Sequence, residues 1–523
     1  MAASTKKHAK KIRLKNNKEI DAIKENASLF LANRKNSNRL IDILSALESD
    51  EYEVVVTAIK SIHRVFSNLI RTGQILKKAS ENDIDEKERE GLPKDDQYRL
   101  WLHDNYTDMC KKLLELLHHD DRNIQELSLC TLLKFVAIDG QHPTRTVTKK
   151  QLSFPSLLYQ SLLNELLCSE DSMVALIERM QEYMEYDDVR FYTLKHSLRN
   201  MRDKIEKDLT EQYLRNLFTL LENISLPTEE TEVLSKCLAK PPGPETNAKI
   251  LLMSEQKRLF TLLWLEFLKQ QLSVNIYKKV LVILHDKVMP YVSNPLLLSD
   301  FLTISYNIGG AVSLLALNGL FVLIQKYNLN YPDFYPKLYS LLDPSVFHVK
   351  YQARFFYLTD LFLTSTHLPA YLVAAFIKKL SRLALTAPAS SLSFLIPLVY
   401  NLIIRHPTCH CLIHRTDFES IAGDPYVFEE KDPAKCNALD SSLWEIKTMQ
   451  NHYHPAIVNE AMKLDNKLPS HEMDISEKLE TTAAILFDRS FKKRFKEAPV
   501  TFQPPKGLFN TPDDIMQNNW LLE

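Results

Sequence analysis

The chain has 523 residues, of which 45% are hydrophobic and 25% are charged, the balance of a folded soluble protein. It holds only 9 glycines, far below the usual share of about 7%. This scarcity disfavours β-sheet proteins and glycine-rich phosphate-binding loops and predicts an all-α fold. The formal net charge of −1 excludes polyelectrolyte character for the whole molecule.

The first predicted element is a basic flexible tail over residues 1–19. Residues 1–18 contain seven lysines and arginines and no acidic residue. Such a run is typical of a nuclear localisation signal, of an electrostatic contact with RNA phosphates, or of a solvated end, and the sequence does not separate the three. The residues expected to serve nuclear import or RNA contact are Lys6, Lys7, Lys10, Lys11 and Arg13.

Residues 20–225 are predicted to form N-terminal helical repeats. Apolar residues recur at helical spacing over 52–70, 98–117 and 124–137. A few polar residues join the last two segments, which predicts an αα-hairpin, and stacked hairpins form a HEAT- or armadillo-like solenoid. No exact repeat period is present, so the repeats are expected to be degenerate. The charged segment 78–96 is predicted to be a loop.

A Pro-containing linker is predicted at 226–249, because the run KPPGP within it cannot continue a helix. We expect the main domain boundary there, with helices resuming over 250–271, 274–288 and 295–306. The remaining predicted parts are a helical domain over 250–415, an acidic loop with C-terminal helices over 416–490, and an extended tail over 491–523.

Residues 301–410 are poor in charge and rich in Phe and Tyr compared with the whole chain, which is 25% charged and 9% aromatic. These helices are expected to be buried within the stack or against a partner. Asp343 followed by Pro344 predicts a helix start. We expect a partner-binding surface here, although each aromatic residue could equally fill the core. The candidates are Tyr331, Phe334, Tyr335, Tyr339, Arg354 and, further along, Trp444.

Two apolar stretches, 311–324 and 383–404, have the composition of membrane spans. The second has 22 residues without a charged side chain, about the length of a span. It also contains Pro388, Pro397 and several hydroxyl side chains. We therefore expect buried helices of a stack, with a multi-pass nuclear-membrane protein as an alternative.

Common catalytic motifs are absent, including GxGxxG, the Walker A loop, GxSxG and HExxH. The acidic pair Asp187-Asp188 is interpreted as an inter-helix turn with N-cap character rather than as catalytic carboxylates. One group resembles zinc ligands, but its spacing differs from that of a zinc finger and favours a surface loop; it consists of His406, Cys409, His410, Cys411 and His414. We predict no catalytic residue, metal site or cofactor.

The seven cysteines form no CxxC pair and no disulfide-like framework. An odd number of cysteines in a long chain suits a reducing compartment. The N-terminus lacks the apolar run of a secretory signal, so the cytosol or the nucleus is expected.

The four residues 442–445, SLWE, fit the capping box S-x-x-E. This pattern predicts that a helix begins at Ser442, with Trp444 on its buried side. Replacing the capping serine would then cost about 1 kcal/mol of stability.

Residues 309–407 resemble the domain shared by the CCAAT-binding factor family of nucleolar complex proteins. The sequence from 424 to 445 and the HYHP that follows resemble stretches peculiar to the fourth branch of that family, and LLKFVAIDGQHP (132–143) and EYDDVRFY (185–192) fit the same branch. The elements that carry the shared domain are LALNGLF (315–321), YPDFYPKLYSLL (331–342), LPAYLVAAFIKKLSRLAL (368–385) and RHP (405–407).

The resemblance implies a HEAT-like helical solenoid without enzymatic activity, located in the nucleolus. It further implies an assembly factor of the early small-ribosomal-subunit precursor that supports rRNA processing and pairs with nucleolar protein 14. Composition and periodicity support only the helical, intracellular and non-catalytic parts of this description. A HEAT-type transport adaptor is a further alternative to the scaffold.

Overall fold

The computed structural model describes residues 2–75, 93–142, 153–205, 209–227, 236–240, 253–365, 367–414, 423–466 and 471–492. Within these ranges the secondary structure is helical and contains no β-strand, as the composition predicts. The helices of the N-terminal half are α1 (Ala2–Ala32), α2 (Arg39–Ser45), α3 (Tyr52–Arg71), α4 (Lys94–Glu115), α5 (Arg122–Gln141), α6 (Ser156–Leu166), α7 (Val174–Met180), α8 (Asp187–Ile205) and α9 (Glu211–Asn223).

The helices after the predicted linker follow at short intervals, several of them extended by single 3-10 turns. They are α10 (Met253–Leu268), α11 (Val274–Ile283), α12 (Ser299–Ile308), α13 (Gly310–Tyr327), α14 (Phe334–Ser340), α15 (Gln352–Phe362), α16 (Ala370–Ala384), α17 (Ala389–Arg405), α18 (Trp444–Thr448), α19 (Pro455–Ala461), α20 (Ser476–Leu479) and α21 (Ala483–Lys492).

The chain divides into two compact units. Unit 1 comprises Met1–Ile308 with Leu315–Leu329, and unit 2 comprises Gly309–Leu314 with Asn330–Glu523. The predicted linker at 226–249 therefore lies within unit 1. The predicted domain boundaries, which rest on composition, stay predictions.

The N-terminal segment, predicted as a flexible tail over 1–19, is helical from Ala2 to Ala32, and its flexibility stays a prediction. Ile23, Ala27 and Phe30 share one face of α1 and are buried, where the helix packs against α2 and α3. Residues 2–32 contain no glycine or proline and many good helix formers, so the helix continues towards the N-terminus. The basic residues proposed for import or RNA contact all lie within it: Lys6, Lys7, Lys10, Lys11 and Arg13.

Helices α4 and α5 form the predicted αα-hairpin, and α5 packs against both α4 and α3. The carboxylate of Asp121 accepts a hydrogen bond from the backbone N–H of Asn123 at 2.8 Å and so caps α5. α4 begins at Lys94, which lies inside the predicted loop. Residues 78–92 of that loop lie outside the described residues.

A short irregular segment, residues 236–240, packs on the helices of unit 1; we call it the strap. The buried carboxylate of Asp188 accepts hydrogen bonds from the backbone N–H groups of Leu238 and Ala239, at 3.0 and 2.8 Å. The backbone N–H of Lys240 donates to the carbonyl of Gly140 at 3.1 Å. The predicted linker is thus partly bound to unit 1, whereas 228–235 and 241–249 lie outside the described residues.

The acidic pair at the start of α8 does more than the predicted turn requires. Both carboxylates are buried. Asp187 pairs with the guanidinium of Arg190 in the same turn, and Asp188 holds the strap. Burial raises the pKa of Asp187 against the opposing effect of Arg190. A buried carboxylate needs hydrogen-bond donors. The backbone N–H groups of the strap supply them to Asp188.

Replacing Gly140 with alanine should loosen the strap. A β-carbon at this position would lie 2.7 Å from the β-carbon of Ala239. Alanine is favoured over glycine within helices by about 1 kcal/mol, but overpacking costs about 1–3 kcal/mol, so we expect a net loss of about 1 kcal/mol in the free energy of unfolding. Gly423→Ala is the control, since nothing lies within 4 Å of its added β-carbon. Urea denaturation measures both, and equal stabilities would contradict this packing.

The stability of unit 1 should depend on pH through His196. This side chain is buried on α8, its Nε2 lies 2.9 Å from the hydroxyl of Ser156, and burial lowers its pKa to about 4. An unfolded imidazole titrates near 6.5, so between these values the unfolded chain binds a proton that the folded chain does not. The free energy of unfolding should therefore fall as pH drops from 6.5 to 4, by about 1.4 kcal/mol per pH unit.

His196→Gln should flatten that slope, because glutamine keeps a partner for Ser156 but does not titrate. Urea denaturation at several pH values between 7 and 4.5 provides the measurement. A slope that is unchanged in the variant would assign the pH dependence to other groups.

The predicted helix start at Asp343 opens a turn whose aromatic residue Phe347 joins the core of unit 2. The carboxylate of Asp343 accepts from the backbone N–H of Ser345, and Pro344 opens a 3-10 turn, Pro344–His348, that precedes α15. The residues Phe347, Phe355, Leu358 and Phe362 are buried, whereas Tyr351, between the 3-10 turn and α15, is 37% exposed. Phe356 stacks on Phe347 and contacts Phe394 of α17, at ring distances of 5.7 and 5.0 Å.

One described helix, α13, has the length and composition of a membrane span, with a mean hydropathy of 1.4 over 18 residues. Half of that window is buried within the protein. The second apolar helix, α17, is shorter than a span. Because buried helices of soluble proteins share these properties, α13 gives only weak support to the membrane alternative.

Candidate partner-binding surface

Helix α16 carries three cations, Lys378, Lys379 and Arg382. Lys378 and Arg382 are one turn apart and therefore on the same side. They face the irregular segment 423–446. The residues just before this segment, 415–422, lie outside the described ranges. The side chain of Lys378 is completely buried. A buried ammonium requires paired charge and hydrogen bonds, so the segment must supply both.

Four charged side chains meet here, and we call them the Lys378 cluster: Lys378, Arg382, Asp424 and Glu445. The ammonium of Lys378 lies 2.7 Å from Oε1 of Glu445 and 3.0 Å from Oδ2 of Asp424. It also donates to the backbone carbonyl of Ser442 at 2.6 Å. Arg382 Nη2 lies 2.7 Å from Oδ2 of Asp424. Two cations and two carboxylates make the cluster neutral.

The two carboxylates respond differently to this environment. Burial raises the pKa of Glu445, against the opposing effect of Lys378. Burial also acts to raise the pKa of Asp424, but hydrogen bonds from Ser441, Trp444 and Lys378 outweigh it and lower that pKa to about 2. Asp424 is therefore charged at any physiological pH and is the anion to which the segment is anchored.

A second layer of contacts continues the docking of the segment. The ammonium of Lys379 lies 4.1 Å from the ring centre of Tyr339. Burial lowers the pKa of Lys379. The hydroxyl of Tyr339 is hydrogen-bonded to that of Tyr426 at 2.9 Å. Helices α14 and α16 thus both hold the segment.

Trp444 lies at the surface, where its side chain caps the Lys378 cluster. Its indole N–H donates to Asp424 at 2.8 Å, and the guanidinium of Arg382 lies 4.8 Å from its ring centre. The residue is 39% exposed, so the prediction that it lies on the buried side of its helix is wrong.

The predicted capping box is also wrong. α18 begins at Trp444 without a side-chain cap. Glu445 turns to Lys378 instead of capping the helix, because a buried ammonium needs this carboxylate more than an exposed helix end does. Ser442→Ala is therefore expected to change stability by less than about 0.5 kcal/mol.

The structure separates the predicted partner-binding residues into core and surface. Phe334 and Tyr339 are buried and fill the core of unit 2, and their role in partner binding stays a prediction. Tyr331 and Tyr335 on and before α14 are half-buried, and Arg354 is exposed. Tyr335 donates from its hydroxyl to the carbonyl of Phe362 at 3.3 Å.

The predicted zinc-like group does not converge on one point. The side chain of His406 is buried and its Nε2 lies 3.0 Å from the carbonyl of Leu363. Cys409 is buried as well, and burial raises the pKa of its thiol to about 11. The thiol of Cys411 contacts the carbonyls of Thr408 and Leu439 instead.

Sequence reasoning missed the cluster itself. Its signal was present in part, because Lys378, Lys379 and Arg382 are cations within a largely apolar helix that contains no acidic residue. Other exposed apolar side chains of unit 2 were also missed. They are Tyr357, Tyr371, Val427, Tyr453, Met462, Ile485, Phe487 and Phe491.

Comparison with known proteins places this surface in a family. The CBF/Mak21 family matches residues 313–461, which include the whole Lys378 cluster. A second family, described as nucleolar complex protein 4-like, TPR repeats, matches residues 14–209. The nucleolar complex protein 4 homolog of Gallus gallus is 43% identical over 96% of this chain and 99% of its own length. The chain belongs to the nucleolar complex protein 4 homolog family.

Further members of the family support this assignment. Nucleolar complex protein 4 homolog B of Xenopus laevis is 43% identical over 98% of this chain and 99% of its own length. The homolog of Homo sapiens is 40% identical over 94% and 96%. The sequence resemblance is therefore confirmed, and with it the helical-repeat fold and a nucleolar location in the nucleus.

Breaking the Lys378 cluster should strongly destabilise unit 2 of this family member. Lys378→Met removes the nearer cation and the hydrogen-bond donor of the buried Glu445 and leaves that carboxylate to the guanidinium of Arg382 at 3.1 Å. We therefore expect a loss of about 3 kcal/mol in the free energy of unfolding, the lower end of what breaking a buried pair costs. The double variant Lys378→Met/Glu445→Met should recover most of that loss, because both buried charges are removed. Denaturant unfolding monitored by circular dichroism measures each.

The matched control is Lys447→Met. Lys447 pairs with Asp465 at 2.6 Å, but both side chains are about half exposed, so the loss should stay below about 1 kcal/mol. Similar losses for Lys378→Met and Lys447→Met would contradict a special role for the buried pair.

Proposed function

We propose that this protein is a non-enzymatic scaffold of small-ribosomal-subunit biogenesis. It acts in the early nucleolar precursor, the small-subunit processome, and supports rRNA processing by pairing with nucleolar protein 14 and by contacting other processome proteins. Relatives named as nucleolar complex proteins support the setting. The helical repeats support a role in protein–protein contact.

The observation that carries the proposal is the surface built on the Lys378 cluster. The cluster fixes an irregular segment of unit 2 before any partner arrives, so a partner meets a preorganised surface and little ordering entropy is lost on binding. Trp444 and Arg382 stack together at its edge. Tryptophan and arginine are the residues most often found as energetic anchors of interfaces.

Arg354, Tyr331 and Tyr335 extend the proposed interface within unit 2. Arg354 is exposed and the two tyrosines are half-buried, so each offers part of its side chain to a partner. Phe334 and Tyr339 support this surface from beneath without reaching it. Their contribution is to position α14.

The basic residues of α1 are proposed to make a separate, electrostatic contact with pre-rRNA or with the import machinery. On a helix, Lys6 and Lys10 are one turn apart, as are Lys7 and Lys11. Phosphate contacts of this kind weaken steeply with salt. A transport adaptor or a nuclear-membrane protein, the alternatives to the scaffold, would distribute differently on fractionation.

Replacing Trp444 with alanine in the full-length protein should weaken its capture of nucleolar protein 14 by about tenfold or more, because truncation of an interface anchor costs about 2 kcal/mol. The measurement is capture by the purified tagged chain, with folding checked by circular dichroism. Tyr52→Ala is the control, because Tyr52 is a comparably exposed aromatic residue of unit 1.

The variants distinguish the candidate functions. A folded Trp444→Ala protein that captures nucleolar protein 14 as well as the unchanged chain would reject this surface. A wild-type chain that fails to capture nucleolar protein 14 and instead binds a small GTPase would favour the transport adaptor. Retention in the membrane pellet after alkaline carbonate extraction would favour the membrane alternative.

A further inference from the structure

Three side chains of different chemistry converge in unit 1, far along the chain from the surface described above. His118 ends the 3-10 turn that follows α4. Cys168 and Asp171 lie in the connection between α6 and α7. One ring nitrogen of His118, the sulfur of Cys168 and a carboxylate oxygen of Asp171 all lie within 4.8 Å of one another.

The imidazole is held in place from both sides. Its Nδ1 lies 2.7 Å from Oδ2 of Asp171, and its Nε2 lies 3.1 Å from Oε2 of Glu165. The Glu165 contact restrains the plane of the ring, with Nδ1 against Asp171 and the sulfur of Cys168 within 4.8 Å of a ring nitrogen. A carboxylate behind a metal-binding histidine plays this orienting role in known metal sites.

The connection that carries Cys168 and Asp171 is fixed by the helices around it. The buried amide of Asn216 on α9 donates to the carbonyls of both residues, at 3.3 and 2.9 Å. The same amide accepts from the backbone N–H of Met173 at 3.2 Å. The thiol of Cys168 therefore has a fixed position, with its sulfur 3.4 Å from the carbonyl of Asp171.

We propose that His118, Cys168 and Asp171 form a Zn²⁺ site. His118 would bind through Nδ1, Cys168 through its thiolate and Asp171 through one carboxylate oxygen, with water as the fourth ligand and Glu165 accepting the Nε2–H bond. Binding breaks the hydrogen bond between His118 and Asp171. The Nδ1 proton of the His118 imidazolium and the thiol proton of Cys168 are both released to solvent, and the Nε2–H bond to Glu165 is kept. No covalent bond to carbon forms or breaks, and neither the protein nor the ion changes its oxidation state.

The ligand chemistry selects this ion. A thiolate and an imidazole are ligands of Zn²⁺, whereas Mg²⁺ and Ca²⁺ prefer oxygen alone. Tetrahedral coordination with nitrogen, sulfur and oxygen is usual for Zn²⁺. Asp171 is more than half exposed and His118 about one third exposed, which leaves a path for the hydrated ion.

The site has a structural consequence. The bound ion would link the end of α4 to the connection between α6 and α7. Contacts between α4 and α6 already exist. Zn²⁺ would add a link at their polar edge and stabilise the folded state by mass action.

The test uses the full-length protein, stripped of metal, titrated with Co²⁺ and then with Zn²⁺. We expect one equivalent of Co²⁺ to produce a thiolate-to-metal charge-transfer band and the intense visible bands of tetrahedral coordination, both abolished by Zn²⁺. Cys168→Ser should remove the charge-transfer band. Cys130→Ser should keep it, because Cys130 is a thiol of similar burial elsewhere in unit 1.

Two further variants keep the proposal falsifiable if Cys168→Ser folds poorly. Asp171→Asn should weaken Zn²⁺ binding, and Glu165→Gln should weaken it by about tenfold through the orientation of His118. Zn²⁺ should also raise the thermal midpoint of the wild-type protein more than that of Asp171→Asn. The proposal is overturned if wild type and Cys168→Ser give the same Co²⁺ spectrum, or if wild type and Asp171→Asn bind Zn²⁺ equally.

Discussion

The buried ammonium of Lys378 is the constraint on which unit 2 depends. A fully buried cation on an apolar helix is costly unless anions and hydrogen-bond acceptors surround it. Asp424, Glu445 and the carbonyl of Ser442 fulfil that need. They come from a segment that forms little regular structure of its own, so the charge requirement rather than backbone pairing fixes where the segment lies. The position of Trp444 at the surface follows from it.

Unit 1 also positions an irregular segment by means of a buried charge, but here the charge is negative. The carboxylate of Asp188 is buried and accepts hydrogen bonds from two backbone N–H groups of the strap. An irregular segment is again docked because a buried charge on a helix needs partners. Buried ionic contacts of this type contribute little net stability, but they penalise every alternative docking that leaves a charge unpaired. They therefore specify position, which apolar helix packing alone does not.

A helical framework that carries docked irregular segments suits a scaffold. Helical hairpins supply a framework in which each helix buries an apolar stripe against its neighbours. The irregular segments docked on that framework supply surfaces that differ from one repeat protein to another. In this chain the residues matched to the CBF/Mak21 family run through the docked segment. The residues that match this family therefore include the proposed interface and the segment that the Lys378 cluster holds in place.

The sequence by itself determined the all-α fold, the αα-hairpin, the helical turn that starts at Asp343 and the family to which the chain belongs. Helical periodicity, capping and the order of motifs are local properties that can be read along the chain. The sequence did not determine which aromatic residues are core: Phe334 and Tyr339 are buried, whereas Trp444 is exposed. Nor did it reveal that Glu445 pairs with Lys378, 67 residues earlier, or that α1 is helical throughout. Only tertiary structure decided these points, since periodicity indicates that one face is buried but not against what, and a charge's partner depends on packing between distant segments.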